Sequence, residues 1–329
     1  MEQTFIEILR RALDEELARD VSVHLLGEDV AAGGAFGVTK GLAQKHGEKR
    51  VRNTPISEAA ITGLATGAAL CGLRPVLEVM FIDFATLAMD CLVNQTAKYR
   101  YMSGGQLTVP LVVRTQSGAA GGAAAQHSQS LEAWFAHVPG LVVVAPATPA
   151  EAYGLLKSAI RLGEPVLYIE HKRLYTMRGT LDDAAELPAI GKARIARGGS
   201  DLTLIAYSAM VGTALAAAGQ LAALGISAEV IDLRTLLPLD METIATSVRK
   251  THRALIAHEA VQNGGFGAEI AARIGSELFD ELDAPVWRVG CPFAPIPFAP
   301  ELEAALLPDA AAIVQGVQEM LGTPAQLGR

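Results

Sequence analysis

Short apolar runs of strand length recur along this chain, and stretches of helical spacing separate them. SVHLLGED (22–29), RPVLEVMF (74–81), LTVPLVVRT (107–115), LVVVAP (141–146) and EPVLYIEH (164–171) carry apolar residues without strict alternation. Such runs are buried on both faces, as the strands of a parallel sheet are, and the helices between them supply the crossover that a parallel connection needs. The spacing predicts helices over 38–46, from Thr86 to about Tyr101, at LEAWFAHV, and over TPAEAYGLLKSAIRLG with Thr148 as cap and Pro149 as first helical residue. A polar, acidic stretch, TMRGTLDDAAELP (176–188), interrupts the pattern. The alternation then resumes through DLTLIAYSA, SAEVIDLRT, RALIAHEA and APVWRVG, with helices closing at Leu224, following LLPLD, and running from Phe266 to about Leu282. The predicted fold class is α/β, with two doubly wound domains at 1–175 and 191–329, the second smaller, joined by a linker at 176–190.

Composition narrows the function. Half of the residues are hydrophobic and only 19% are charged, too few charges to cover the surface of a monomer, which points to a large interface with another chain. With 27 basic against 35 acidic residues and no basic cluster interleaved with aromatics, the chain is not built for nucleic acid. The three cysteines, Cys71, Cys91 and Cys291, are far apart and form no CxxC pair, which fits a reducing compartment and no metal cluster. Cys71 falls in an Ala/Gly-rich helix and reads as a small packed residue. Ile6, Leu9, Leu13 and Leu17 make an amphipathic first helix, not a signal peptide. Residues 59–73 come nearest to a membrane span but are too short and too rich in Ala, Gly and Thr, so the expected setting is cytoplasmic, without a membrane.

The residues with chemistry to offer gather in NTPISEAAITGLATGAALCGLRPVLEVMFIDF (53–84) and in one later loop. Ser57 reads as a helix cap and Glu58 as the first helical residue, with Phe81 and Phe84 closing the following strand. Gly63 and Gly67 leave one face of that helix nearly bare, suited either to packing within the domain or to contact with another chain. Of the seven histidines, only His127 follows a Gly/Ala-rich loop, where small neighbours leave room for a ligand. On residue type alone each candidate also has a structural role: Glu58 favours the helix dipole, Phe84 suits a strand-end core, and His127 can brace a loop. The AAGGAF loop lacks the spacing of a phosphate cradle, and His258-Glu259 lacks the second histidine of a zinc motif.

GEDVAAGGAFGVTKGL, RVRNTPISE, the strand ending in FIDF, AKYRYMSGG and AAAQHSQS, in this order, resemble the beta subunit of the thiamine-diphosphate-dependent decarboxylase component of 2-oxo acid dehydrogenase complexes. DLRTLLPLD and HEAVQNGGFGAEIA extend the resemblance over nearly the whole chain. QHSQSLEAWFAHVPGL and EHKRLY lean toward pyruvate and acetoin types over branched-chain ones. The resemblance implies a transketolase-like pyrimidine-binding domain followed by a transketolase-like carboxy-terminal domain. It assigns Glu58 to the aminopyrimidine ring nitrogen of thiamine diphosphate, and Phe84 and Met80 to packing on that ring. Desolvation raises the pKa of a semi-buried carboxyl and so favours proton sharing with the nitrogen. His127 is assigned to proton transfer at a lipoyl disulfide or to the reacting carbonyl, with Gln126 and Ser128 as orienters. The implied partners are an alpha subunit holding magnesium and the diphosphate, a second copy of this chain, and a lipoyl-bearing acyltransferase. No GDG string occurs here, and nothing suitable follows Gly27-Glu28-Asp29, so no metal is expected on this chain. Half of a split transketolase and a non-catalytic scaffold are the alternatives. Two places depart from the family pattern: Phe293 stands where many members have Asp, and Leu162 and Glu164 stand where relatives with a potassium site have Asp and Asn.

Overall fold

The computed structural model describes residues 2–182 and 184–322. Asp183 of the expected linker and the last seven residues of the expected second domain, 323–329, lie outside the described residues. In the first half, β1 (Gln3–Thr4), α1 (Phe5–Arg19), β2 (Val23–Gly27), α2 (Leu42–His46), β3 (Val51–Asn53), α3 (Glu58–Leu70) and β4 (Arg74–Val79) are followed by α4 (Tyr99–Met102), β5 (Val112–Ser117), α5 (Glu132–Ala136), β6 (Val142–Val144), α6 (Pro149–Arg161), β7 (Val166–His171) and β8 (Arg178–Gly179). The second half comprises β9 (Arg194–Arg197), β10 (Leu202–Ala206), α7 (Met210–Ala223), β11 (Ala228–Asp232), β12 (Thr235–Leu237), α8 (Met241–Thr251), β13 (Ala254–Val261), α9 (Phe266–Glu277), β14 (Trp287–Cys291), α10 (Pro300–Leu306) and α11 (Ala310–Met320).

Strands β2 to β7 pair in parallel in the order β6-β7-β5-β4-β2-β3, so their carboxyl ends share one edge. Two pairings were not anticipated. β12, from the second half, adds antiparallel to β6 and makes the first sheet seven-stranded, while β8, in the stretch expected as linker, pairs antiparallel with β1. The second sheet runs β14-β13-β10-β11-β9 with only β9 antiparallel. One apolar cluster runs across both halves, joining Leu131, Phe135 and Val138 with Leu236, Phe266 and Ile270.

Helix α1 opens on a capping box: the Thr4 amide donates to the Glu7 carboxylate at 2.7 Å and the Glu7 amide to the Thr4 hydroxyl at 3.3 Å. Its buried face is Phe5, Ile8, Leu9, Leu13 and Leu17; Ile6 lies only half-buried. Thr148 caps α6 and Pro149 begins it, as the sequence predicts. The long helix expected from Thr86 to Tyr101 is instead a 3-10 turn (Phe84–Ala88), a π turn (Cys91–Thr96) and the short α4. The Thr86 hydroxyl donates to the Asp83 carbonyl at 2.7 Å, a side-chain bond to the backbone that competes with helical bonding, and Thr96 shares a hydroxyl bond of 2.7 Å with Thr66 on α3. The helix expected over 38–46 shrinks to α2, because Gly41 just before it is left-handed, at φ +84°. Likewise α9 stops at Glu277, and a 3-10 turn (Phe279–Glu281) follows. No helix among the described residues is long and apolar enough to cross a membrane.

Candidate active site

In a parallel sheet the ligand crevice lies beyond the carboxyl ends of the strands. Here β2 leads into Glu28, β3 turns through Pro55 into Glu58 on α3, and β4 runs out through Met80 to Phe81 and Phe84. β5 opens the loop that carries His127, and β7 ends at His171 beside Lys172. A buried charge triad ties three of these strands together. Arg114 on β5 donates to Glu78 on β4 at 2.6 Å and, by two bonds, to Glu170 on β7 at 2.7 and 2.8 Å.

Around His127 the aromatic residues meet edge to face. The imidazole centroid is 4.8 Å from Phe81 and 5.2 Å from Phe84, and the two phenylalanines are 5.9 Å apart. Phe36 adds a fourth ring 5.7 Å from Phe81. Phe81 holds a left-handed backbone, φ +63°, and its amide donates to Gln116 Oε1 at 3.1 Å. Met80 is half-buried beside it. Lys172 Nζ sits 5.0 Å over the Phe81 ring and donates to the His127 main-chain carbonyl. Burial pushes that ammonium down to about 8. Of the two residues expected to orient His127, Gln126 is exposed and Ser128 Oγ is buried without a partner; neither hydrogen-bonds the imidazole. The loop is held instead through its main chain and through Gln129, whose Nε2 donates to Asp83 at 2.8 Å.

Glu58 begins α3 and is 8% exposed. Ser57 stands at the cap position, but its hydroxyl makes no capping bond, contrary to expectation. The nearby acid that the sequence pattern did not single out is Glu28. Its carboxyl is held above the ordinary range by burial and then by the charge of Glu58, and its Oε1 is buried without a partner. Its place follows from strand register: Gly27 and Asn53 are partners on β2 and β3, so the chain leaves both strands side by side. Together Glu28 and Glu58 offer a buried acid pair with an unused oxygen, chemistry suited to a heteroaromatic nitrogen. That donor set, with the ring cluster on the neighbouring strand, fits the aminopyrimidine half of thiamine diphosphate.

His171, read as an ordinary strand-end residue, also belongs near this edge. Its Nε2 lies 3.0 Å from Glu259 Oε2, a contact between the two halves of the chain. Gly118 makes room for it: a Cβ there would lie 2.0 Å from His171 Nε2, and φ is +79°. Cys71, expected as a packed helix residue, is exposed at the end of α3. On α3 itself Ile61, Ala65 and Ala69 are buried, while Gly63, Leu64 and Gly67 face outward and nothing lies within 4 Å of a Cβ at Gly67. In the segment where relatives place potassium, Glu164 pairs with Arg100, and the carbonyls of Ile160 and Leu162 accept from Arg74 at 2.9 and 3.0 Å. Each of those acceptors bonds a guanidinium group. No group of three His, Cys, Asp or Glu among the described residues is placed to hold a metal. Phe293 is 80% exposed.

Comparison with known proteins bears on the fold and the family. Residues 1–178 match the family described as transketolase, pyrimidine binding domain, and residues 191–313 the transketolase C-terminal domain. The mitochondrial pyruvate dehydrogenase E1 component subunit beta of Drosophila melanogaster is 48% identical over 98% of this chain and 90% of its own. The acetoin:2,6-dichlorophenolindophenol oxidoreductase subunit beta of Cupriavidus necator is 44% identical over 95% of this chain and 96% of its own. A solved split-gene transketolase, an inactive beta4 tetramer, superposes with a TM-score of 0.79 over 97% of this chain and 98% of its own; at 24% identity it shows the fold. Two transketolase domains in this order, and 48% and 44% identity to the two kinds of beta subunit over nearly the full length, place the chain in the family of pyruvate dehydrogenase E1 and acetoin oxidoreductase beta subunits.

Proposed function

We propose that this chain is the beta subunit of a heteromeric 2-oxo acid dehydrogenase decarboxylase of the pyruvate or acetoin type, acting on thiamine diphosphate that it shares with an alpha subunit. The observation that carries the reading is the buried Glu58–Glu28 pair opening on the same sheet edge as the Phe81, Phe84 and His127 cluster. When bound, thiamine diphosphate supplies the carbon nucleophile that attacks the 2-oxo carbon. Glu58 holds a proton against the pyrimidine ring nitrogen, and Glu28 beside it resists ionising and keeps that pocket from gathering two charges. Phe84 and Met80 pack the ring. His127, set against the Phe81 and Phe84 rings, supplies a proton to the sulfur released when a lipoyl disulfide opens. Lys172 holds the main chain of that histidine in place.

The alpha subunit supplies the magnesium and diphosphate ligands. Magnesium wants near-octahedral oxygen ligands shared between carboxylates and phosphate, and this chain offers no such set among its described residues. Outward-facing Ile56, Leu64 and Leu87, 80%, 57% and 60% exposed, give the α3 side an apolar surface on which partner subunits pack: the alpha chain and a second copy of this one. A lipoyl-bearing acyltransferase accepts the acyl group. Calorimetry with thiamine diphosphate and magnesium tests the reading: binding is weak for this chain alone and becomes micromolar, with turnover, once an alpha subunit bearing the GDG motif is added. Micromolar binding and decarboxylation by the single chain would overturn it.

A further inference from the structure

The loop that carries His127 leaves β5 at Gly118 and closes on itself where the Gly118 amide donates to the Gln129 carbonyl at 3.1 Å. Between these ends its sequence, AAGGAAAQHS, has almost no side chain with which to pack. A loop of that composition gains little from burial, and each ordered residue costs roughly 1–2 kcal/mol of backbone entropy. Lys172 and Asp83 hold its far end, at His127 and Gln129, and its first residues are fixed by two carboxylates from the other half of the chain. The Ala119 amide donates to Glu259 Oε1 on β13 at 2.7 Å. Those of Gly121 and Gly122 donate to Glu303 Oε1 and Oε2 on α10 at 2.7 and 3.0 Å. Both acids are buried, at 7% and 5% exposure. Glu259 is itself braced by His171 at 3.0 Å and by Arg173.

We infer that Glu303, with Glu259 behind it, is a positioning residue for His127: the carboxy-terminal domain grips the histidine loop by its amides and sets the imidazole against Phe81 and Phe84. One carboxylate spanning two adjacent glycine amides makes a charge-assisted pair of bonds that no apolar contact replaces. The carboxy-terminal domain thereby acts on the active centre through three main-chain hydrogen bonds. The inference deepens the role proposed for His127 and rests on that reading for its catalytic consequence, not for its structural one.

The test uses Glu303→Ala and Glu303→Gln in the assembled enzyme, with His127→Ala in parallel. Hydrogen exchange of the peptide spanning 118–130 should rise roughly tenfold or more in Glu303→Ala, the scale of a lost bond to a charged acceptor, while β10 and β13 keep their rates. Acylation of a lipoyl domain should fall by about the same factor in kcat, with KM little changed. Glu303→Gln retains one acceptor oxygen and should restore part of both; it also serves if the alanine variant folds poorly. Unchanged exchange across 118–130, or exchange rising throughout the carboxy-terminal domain, would overturn the inference. Full acylation by His127→Ala would instead refute the role proposed for that histidine, and the exchange measurement would still decide the positioning.

Discussion

Replacing Arg114 by Met should destabilise the protein by about 3–5 kcal/mol at pH 7, the usual result of removing one partner of a buried ion pair. Arg114 has no exposed surface, and its guanidinium is the cation shared by Glu78 and Glu170, which are 2% and 0% exposed. With charge centres near 4 Å and an effective dielectric of about 20, each attraction is worth roughly 4 kcal/mol, set against the desolvation of all three groups. Methionine fills most of the volume, so the loss measures stranded carboxylates and not a cavity. Glu78 is already held above the ordinary carboxyl range by burial, so it takes up a proton readily, whereas Glu170 also accepts from the Tyr175 hydroxyl at 2.7 Å. The double variant Arg114→Met/Glu170→Gln should therefore recover about 1–3 kcal/mol of the loss. In Arg114→Met the raised carboxyl of Glu78 makes the folded state bind more protons than the unfolded one above its ordinary value of 4.5. Stability is then lost as pH rises, and the deficit at pH 5 should be smaller than at pH 7. Urea unfolding followed by circular dichroism at both pH values measures all three quantities. A loss under about 1 kcal/mol at pH 7, or the same loss at pH 5, would refute the stranded-charge argument.

Two further outcomes concern the site and the second domain. Glu58→Gln keeps the shape and removes the acid, so decarboxylation should slow by about two or more orders of magnitude, and thiazolium proton exchange followed by NMR in the assembled enzyme should slow with it; wild-type exchange would exclude the assignment. His258 is fully buried, its Nδ1 lies 3.0 Å from the Ala260 carbonyl, and its Nε2 has no partner, so burial holds it neutral and brings its pKa to about 4. Its folded value is depressed, so stability is complete above 6.5 and declines as pH falls from 6.5 toward 4, by at most roughly 3 kcal/mol. A melting temperature that stays flat between those pH values would count against it.

What could be read from the sequence was local. The strands announced themselves as apolar runs, Thr148 and Pro149 marked a helix start, and Glu58, Phe84 and His127 stood out by their immediate neighbours. What escaped depends on contacts distant in the chain. The Ala119 amide and Glu259 are separated by more than a third of the sequence, and nothing beside either residue signals the bond. Strand β12 is three residues long and reads as the tail of the preceding strand; only its pairing with β6 gives it an identity. The helix expected after Phe84 is broken into a 3-10 turn, a π turn and α4, where the Thr86 hydroxyl bonds back to the Asp83 carbonyl and Thr96 reaches Thr66 on α3, a partner 30 residues away that local reading does not see.

The small share of charged residues argued for an interface, and the structure strengthens that argument by showing where the charges went. Glu16, Glu28, Glu58, Glu78, Arg114, Glu132, Glu151, Glu170, Asp232, Glu259 and Glu303 are all buried. Each charge used inside is one fewer on a surface that already had too few, and Ile56, Leu64, Leu87, Phe279, Phe293, Phe298 and Leu302 stand exposed. Desolvating so many ionisable groups is unfavourable unless each finds partners, and most of these do, on guanidinium groups, hydroxyls or loop amides. Two of them serve a segment with almost no side chains of its own: Glu303 and Glu259 hold a Gly/Ala loop. A Gly/Ala-rich chain must position its loops through polar acceptors, because it lacks the side chains to do so by packing, and the acids committed to that task leave an apolar exterior for partner chains to cover.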